Sequence, residues 1–125
     1  MPDASGLAPT RAWLLERLDA PVTVADMAAH ASYSPRTFAR RFRAETGTTP
    51  LVWLLGERVL AARRLLETTD APVESVARAC GFGTATGLRD HFRRAVRTTP
   101  TAYRAAFRAT STSVRVAKPE PPLAA

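Results

Sequence analysis

The chain has a single cysteine, Cys80, among its 125 residues, so it can form neither an internal disulfide nor a four-cysteine zinc site. A reducing compartment is the simplest setting for such a protein. Its two histidines, His30 and His91, lie far apart, and neither belongs to a His-Glu-x-x-His arrangement that would bind metal or activate a nucleophile. Long apolar runs are missing as well. No window approaches the roughly 20 apolar residues a membrane span needs, and the N-terminus carries no signal-peptide pattern. Nor does any segment alternate apolar, β-branched and polar residues over the length of a strand. Together these absences predict a soluble, cytoplasmic, all-α protein with no cofactor, metal site, membrane association or catalytic activity.

Lysine is equally scarce. Lys118 stands alone, yet the formal charge is +7 and the pI about 11.2, because arginine carries the excess. Such a balance implies a polyanionic partner, with nucleic acid first and an acidic membrane surface second. The planar guanidinium suits bidentate contacts to guanine or phosphate, although a GC-rich genome would produce the same bias. The length, with 46% hydrophobic content, suffices for one compact domain or two small ones that lean on each other.

What the chain does have is a duplication. Ser34-Pro35-Arg36-Thr37-Phe38-Ala39-Arg40-Arg41-Phe42-Arg43 leads to Thr48-Thr49-Pro50, and Thr84-Ala85-Thr86-Gly87-Leu88-Arg89-Asp90-His91-Phe92-Arg93 leads to Thr98-Thr99-Pro100. At one constant offset Phe38 matches Leu88, Phe42 matches Phe92, and Trp53 matches Tyr103. Upstream the offset shortens by one, pairing Val24 with Val73 and Tyr33 with Phe82, so one copy carries an extra residue in its turn. Two copies of one binding element suit a polymer that itself repeats.

Local signals place the helices. Thr23 and Asp26 resemble a capping box, while Ser34-Pro35, Thr49-Pro50 and Thr99-Pro100 each put a hydroxyl at the N-cap and proline at the first helical position. Gly47 and Gly81 fall where a left-handed residue would close a helix. The pattern predicts helices at 9–19, 24–31, 35–46, 50–68, 73–80, 84–96 and 100–108. This gives seven helices in a homeodomain-like arrangement of two helix-turn-helix subdomains joined by a long central helix. Residues 1–9 read as a disordered leader, 10–49 as the first unit, 50–68 as the linker helix, 69–108 as the second unit, and 109–125 as a disordered tail. Leu51, Leu54, Leu55, Val59, Ala62, Leu65 and Leu66 recur at helical spacing along the linker, so one face can pack against both units. Its length of about 28 Å compares with the roughly 34 Å between successive major grooves on one side of B-DNA.

On the helix of the first copy, Phe38 and Phe42 define an inward face, and Arg36, Arg40 and Arg43 project within about 60° of one another on the opposite side. No acidic residue interrupts them, whereas an ordinary solvated helix mixes signs to gain i,i+4 pairs. Arg36 and Arg40 are the leading candidates for base contact, with Arg43 beside them. Arg41 lies to the flank, where phosphate is the better target, and the helix start at Ser34 and Thr37 suits a phosphate oxygen. In the second copy Thr86, Asp90 and Arg93 take the places of Arg36, Arg40 and Arg43. Asp90 repels phosphate unless it accepts from a cytosine amino group, so the second unit is expected to contribute less affinity. Thr84, Arg93 and Arg94 are its phosphate-contacting candidates. Another reading of the same basic face is a helical protein-interaction module, an adaptor for an acidic protein partner.

The order Ser34-Pro35-Arg36-Thr37-Phe38, Gly47-Thr48-Thr49-Pro50, Arg58, Leu65-Leu66, Val76-Ala77-Arg78-Ala79-Cys80-Gly81-Phe82-Gly83, Leu88, Phe92 and Thr99-Pro100-Thr101-Ala102-Tyr103-Arg104 resembles the DNA-binding domain of the AraC/XylS family of bacterial transcription regulators. The wording of both recognition helices is similar to the GlxA-like branch, whose members usually carry an N-terminal sensor domain. The resemblance implies that the third and sixth helices enter adjacent major grooves of double-stranded DNA, usually to activate transcription by contacting RNA polymerase. It places base contacts on Arg36, Ala39 and Arg40 in the first unit and on Ala85, Thr86, Arg89 and Asp90 in the second. Two positions depart from the family pattern: Arg97 stands where glycine is common, and Asp90 where a basic or neutral residue is frequent. The sensor domain is missing from this sequence, which reads as a stand-alone regulator or a DNA-binding fragment of a longer one.

Overall fold

A computed structural model describes residues 6–117. Seven helices follow one another, α1 (Ala8–Leu15), α2 (Val24–His30), α3 (Pro35–Thr46), α4 (Pro50–Thr68), α5 (Val73–Ala79), α6 (Ala85–Val96) and α7 (Pro100–Ala117), with no strand among the described residues. Hydroxyl caps begin α2, α3, α4, α6 and α7, while Leu7 and Pro72 give α1 and α5 no side-chain cap. Thr23 and Asp26 exchange the two hydrogen bonds of a capping box at 3.1 and 2.9 Å, satisfying two otherwise orphaned N–H groups. The Thr49 and Thr99 hydroxyls accept from the N–H groups of Val52 and Ala102 at 3.2 and 3.1 Å.

Two apolar clusters sit on either side of α4. Leu7, Leu14, Met27, Ala28, Phe38 and Phe42 surround Leu54, while Val76, Ala77, Cys80, Leu88 and Phe92 surround Val59, Ala62 and Leu66. The linker helix therefore belongs to both interiors and joins the units through side chains that neither can release without opening a cavity. Leu51 departs from the expected packing face and is 51% exposed. In that first turn Pro50 and Trp53 turn inward instead, Trp53 meeting Phe42 edge-on.

The ends of the chain differ from expectation. The leader expected over 1–9 gives up its last residues to the fold: Leu7 is buried, and its N–H donates to both carboxylate oxygens of Glu45 on α3 at 3.1 and 3.2 Å. Residues 1–5 lie outside the described part. At the other end α7 continues to Ala117 rather than stopping at 108, because no proline or glycine interrupts it before Pro119. That takes in the first half of the expected tail, and 118–125 lie outside the described residues.

Arginines clamp the loops behind the helices. Arg58 on α4 donates from Nε to the Leu18 carbonyl and from Nη2 to the Ala20 carbonyl, both at 2.9 Å. Burial works to lower the pKa of this guanidinium, and Asp19 partly opposes the shift. Arg104 and Arg108 on α7 do the same for the end of α4, donating to Leu66 at 3.1 Å and to Thr69 at 3.0 and 2.8 Å. Arg58 and Arg108 stand at the offset that relates Phe42 to Phe92, so the clamp is part of the duplicated unit.

Candidate nucleic-acid interface

The helix-turn-helix of each copy is built on the same backbone bonds. The N–H of Tyr33 donates to Ala28 at 2.9 Å in the first turn, and that of Phe82 donates to Ala77 at 2.8 Å in the second. The preceding residue is left-handed in both, Ser32 at φ 64 and Gly81 at φ 91. The extra residue of the second turn is Gly83, itself left-handed at φ 79. It sets Phe82 apart from Thr84 without changing how α6 begins.

In α3 the Ser34 hydroxyl accepts from the Thr37 N–H at 3.2 Å, and Pro35 needs no donor partner. Phe38 and Phe42 are fully buried, which fixes the roll of the helix and turns Arg36, Arg40 and Arg43 outward, all exposed. None of the three forms an ion pair with any described residue. Ala39 is half-buried beside them. Arg41 sits with its guanidinium carbon 5.0 Å from the centre of the Tyr33 ring, a stacked position at the flank of the ridge.

The second copy repeats the scaffold with different chemistry on its face. The Thr84 hydroxyl accepts from the Gly87 N–H at 3.1 Å, and Leu88 and Phe92 are fully buried. Thr86, Arg89, Asp90, Arg93 and Arg94 are exposed, and none takes part in an ion pair with a described residue. Ala85 requires a correction. Expected to touch base edges, it is only 4% exposed, because the first residue of α6 tucks under the turn and its methyl joins the interior. Both capping hydroxyls, Ser34 and Thr84, accept from the N–H groups of their helices.

Two histidines and the cysteine lie outside the arginine ridges: His30 is exposed, His91 half-buried and Cys80 buried. His30 stacks on Trp13 with ring centroids 4.3 Å apart, and its Nδ1 lies 2.9 Å from the Thr10 hydroxyl oxygen. His91 packs against Phe82 at 5.4 Å. Burial pushes the Cys80 thiol up to about 11, which keeps it protonated and inert. No group of three or more His, Cys, Asp or Glu side chains that could hold a metal ion occurs among the described residues. No helix among them is long and apolar enough to cross a membrane.

Known proteins share this arrangement. A family model described as a helix-turn-helix domain matches residues 27–106. The chain is 43% identical over 84 residues to the HTH-type transcriptional regulator Rv1931c of Mycobacterium tuberculosis, covering 67% of this chain and 32% of that protein. It is 35% identical over 96 residues to a putative AraC-like transcription regulator of Streptomyces lividans, covering 77% of this chain and 29% of that one. Among solved structures, the DNA-binding domain of the global transcriptional factor AdpA, in complex with a target DNA, superposes with a TM-score of 0.81 at 52% identity, over 84% of this chain and 95% of that one. The chain thus spans roughly a third of the length of the curated relatives it matches.

Proposed function

The chain belongs to the AraC-type helix-turn-helix family, and from that premise we propose that it is a sequence-specific double-stranded DNA-binding transcription regulator, an activator that contacts RNA polymerase, reading two adjacent major grooves with α3 and α6. One observation carries the reading. Two helices built on equivalent caps and on buried anchors, Phe38 and Phe42 in one and Leu88 and Phe92 in the other, each turn outward arginines that form no ion pair with a described residue. A cation left without a protein partner has its donors free for phosphate and base edges.

In this reading Arg36 and Arg40 contact base edges, each worth about 1–3 kcal/mol of discrimination where bidentate to guanine. Arg43 and Ala39 complete the first surface. Thr86, Arg89 and Asp90 form the second, Asp90 accepting from a cytosine amino group. Ser34, Thr37, Arg41, Thr84, Arg93 and Arg94 hold phosphates. The protein works in the cytoplasm, and the GlxA-like wording of its recognition helices pairs it with an upstream sensor domain. No catalytic step belongs to it.

Selection of bound duplexes from a random pool tests the proposal. The expected product is an enriched motif with two submotifs about 10 bp apart, one helical turn of the duplex. A single submotif would leave α6 without a reading role. If no motif emerges, the basic faces serve an acidic protein partner instead.

A further inference from the structure

Gly81 does more than close α5. A Cβ built on it would lie 2.0 Å from the Leu18 carbonyl oxygen and 2.5 Å from Nε of Arg58. Leu18 belongs to the first unit, Gly81 to the turn of the second, and Arg58 to the helix between them. The same guanidinium that holds the Leu18 and Ala20 carbonyls is therefore the surface on which the second turn rests. Beside this point the units part into an open cleft of about 570 Å³, lined in part by Asp19, Val22, Arg78 and Gly83.

The duplication supplies an internal control. Arg108 repeats the clamp of Arg58 on the Thr69 carbonyl, with no further helix-turn-helix unit following it among the described residues. Tying a helix to the loop behind it is thus the shared role of both arginines, and seating a neighbouring unit is peculiar to Arg58.

We infer that the Leu18–Arg58–Gly81 joint is the positioning device that sets the spacing and helical phase at which α3 and α6 meet the duplex. The inference rests on the double-reader proposal. A side chain at position 81 wedges the second unit away from the first, and loss of the Arg58 guanidinium removes the seat. Loss of the Arg58 guanidinium loosens the relative placement of two recognition helices whose own caps and cores remain intact, whereas a side chain at position 81 does so while also straining the left-handed turn that closes α5. One base pair of extra spacer turns a half-site by about 35° around the duplex axis, so a fixed pair of readers discriminates strongly among spacers and a loosened pair does not.

The test measures binding of the whole chain to a series of duplexes carrying both selected submotifs, with the spacer shortened or lengthened one base pair at a time. The wild type is expected to prefer one spacer over its neighbours by roughly tenfold or more, the equivalent of a single mismatched base pair. Arg58→Ala and Gly81→Ala should flatten that preference to within about twofold, each checked for folding by thermal melting, while Arg108→Ala keeps it. Should Gly81→Ala fail to fold, Arg58→Ala still decides. A uniform loss of affinity at every spacer, with the wild-type preference retained, would overturn the inference and leave the double reader standing. Wild-type binding that needs both submotifs yet accepts every spacer would do the same. Absence of any sequence selection by the wild type sinks the reading beneath it.

Discussion

In the first unit Phe42 meets Trp53 edge-on at 5.7 Å and 72°; in the second, Phe92 meets Tyr103 at 5.4 Å and 72°. The interiors of the two copies have kept one geometry while their surfaces have diverged. Where α3 carries Arg40, α6 carries Asp90, both exposed. Where the first copy closes its recognition helix with Gly47 at φ 84, the second closes it with Arg97 at φ 69. Ser32 takes the left-handed turn that Gly81 takes in the second. Thr23 caps α2 with a full box, whereas Pro72 gives α5 no side-chain cap. Packing tolerates little change in shape, because a buried ring that shrinks leaves a void, while an exposed side chain is free to follow whatever it touches.

The comparison can be broken most severely at the rings. Phe42→Ala and Phe92→Ala should each cost about 3–5 kcal/mol of unfolding free energy, as for large-to-small changes at fully buried aromatic positions. Denaturant titration showing one of them near zero would mean that the two interiors are not equivalent. A smaller effect separates the surfaces. Arg40→Ala should weaken specific DNA binding by about 1–3 kcal/mol, far more than Asp90→Ala, and equal losses in a fluorescence titration would remove the asymmetry. Third, Arg97→Gly should stabilise the protein by up to about 1 kcal/mol, since it relieves a left-handed residue, while Gly47→Ala destabilises by about 1–2 kcal/mol although a Cβ there meets nothing within 4 Å. Thermal melting checks both signs.

The smallest difference lies in pH. Hydrogen bonds from the backbone and hydroxyl of Thr23 hold the Asp26 carboxyl below its ordinary value of 3.8. A depressed folded-state pKa contributes stability that is complete above the ordinary carboxylate range and is lost as pH falls through the folded value. Melting curves of the wild type and Asp26→Ala should accordingly differ near neutrality and converge in strong acid. A difference that persists unchanged at the lowest pH would assign the effect to packing.

Much of this was legible along the chain. The helix ranges 35–46 and 50–68 follow from Ser34-Pro35, Gly47 and Thr49-Pro50, since caps act over three or four residues. The inward faces follow from the period of Phe38, Phe42, Leu88 and Phe92. Less visible were positions whose environment comes from elsewhere. Ala85 looks like an outward residue on a helical wheel, yet the turn that delivers α6 buries it. Leu51 fits the apolar stripe of α4, but in that first turn Pro50 and Trp53 take the inward side and leave Leu51 exposed. The clamps of Arg58 and Arg108 had one available sign, their shared offset, although nothing local says that an arginine will seek a backbone carbonyl some forty residues away.

Sequence alone therefore determined helices α2 to α6, the two apolar interiors and the basic face of α3, because each is written in contacts between residues a few positions apart, whereas α1 stops at Leu15 short of the expected 19 and α7 runs past 108. Tertiary structure decided that Leu7 enters the fold under Glu45, that Ala85 leaves the surface, and that Gly81 rests against Leu18 and Arg58. Those outcomes depend on which distant carbonyls and carboxylates come within hydrogen-bonding reach, and only the folded path of the chain brings them there.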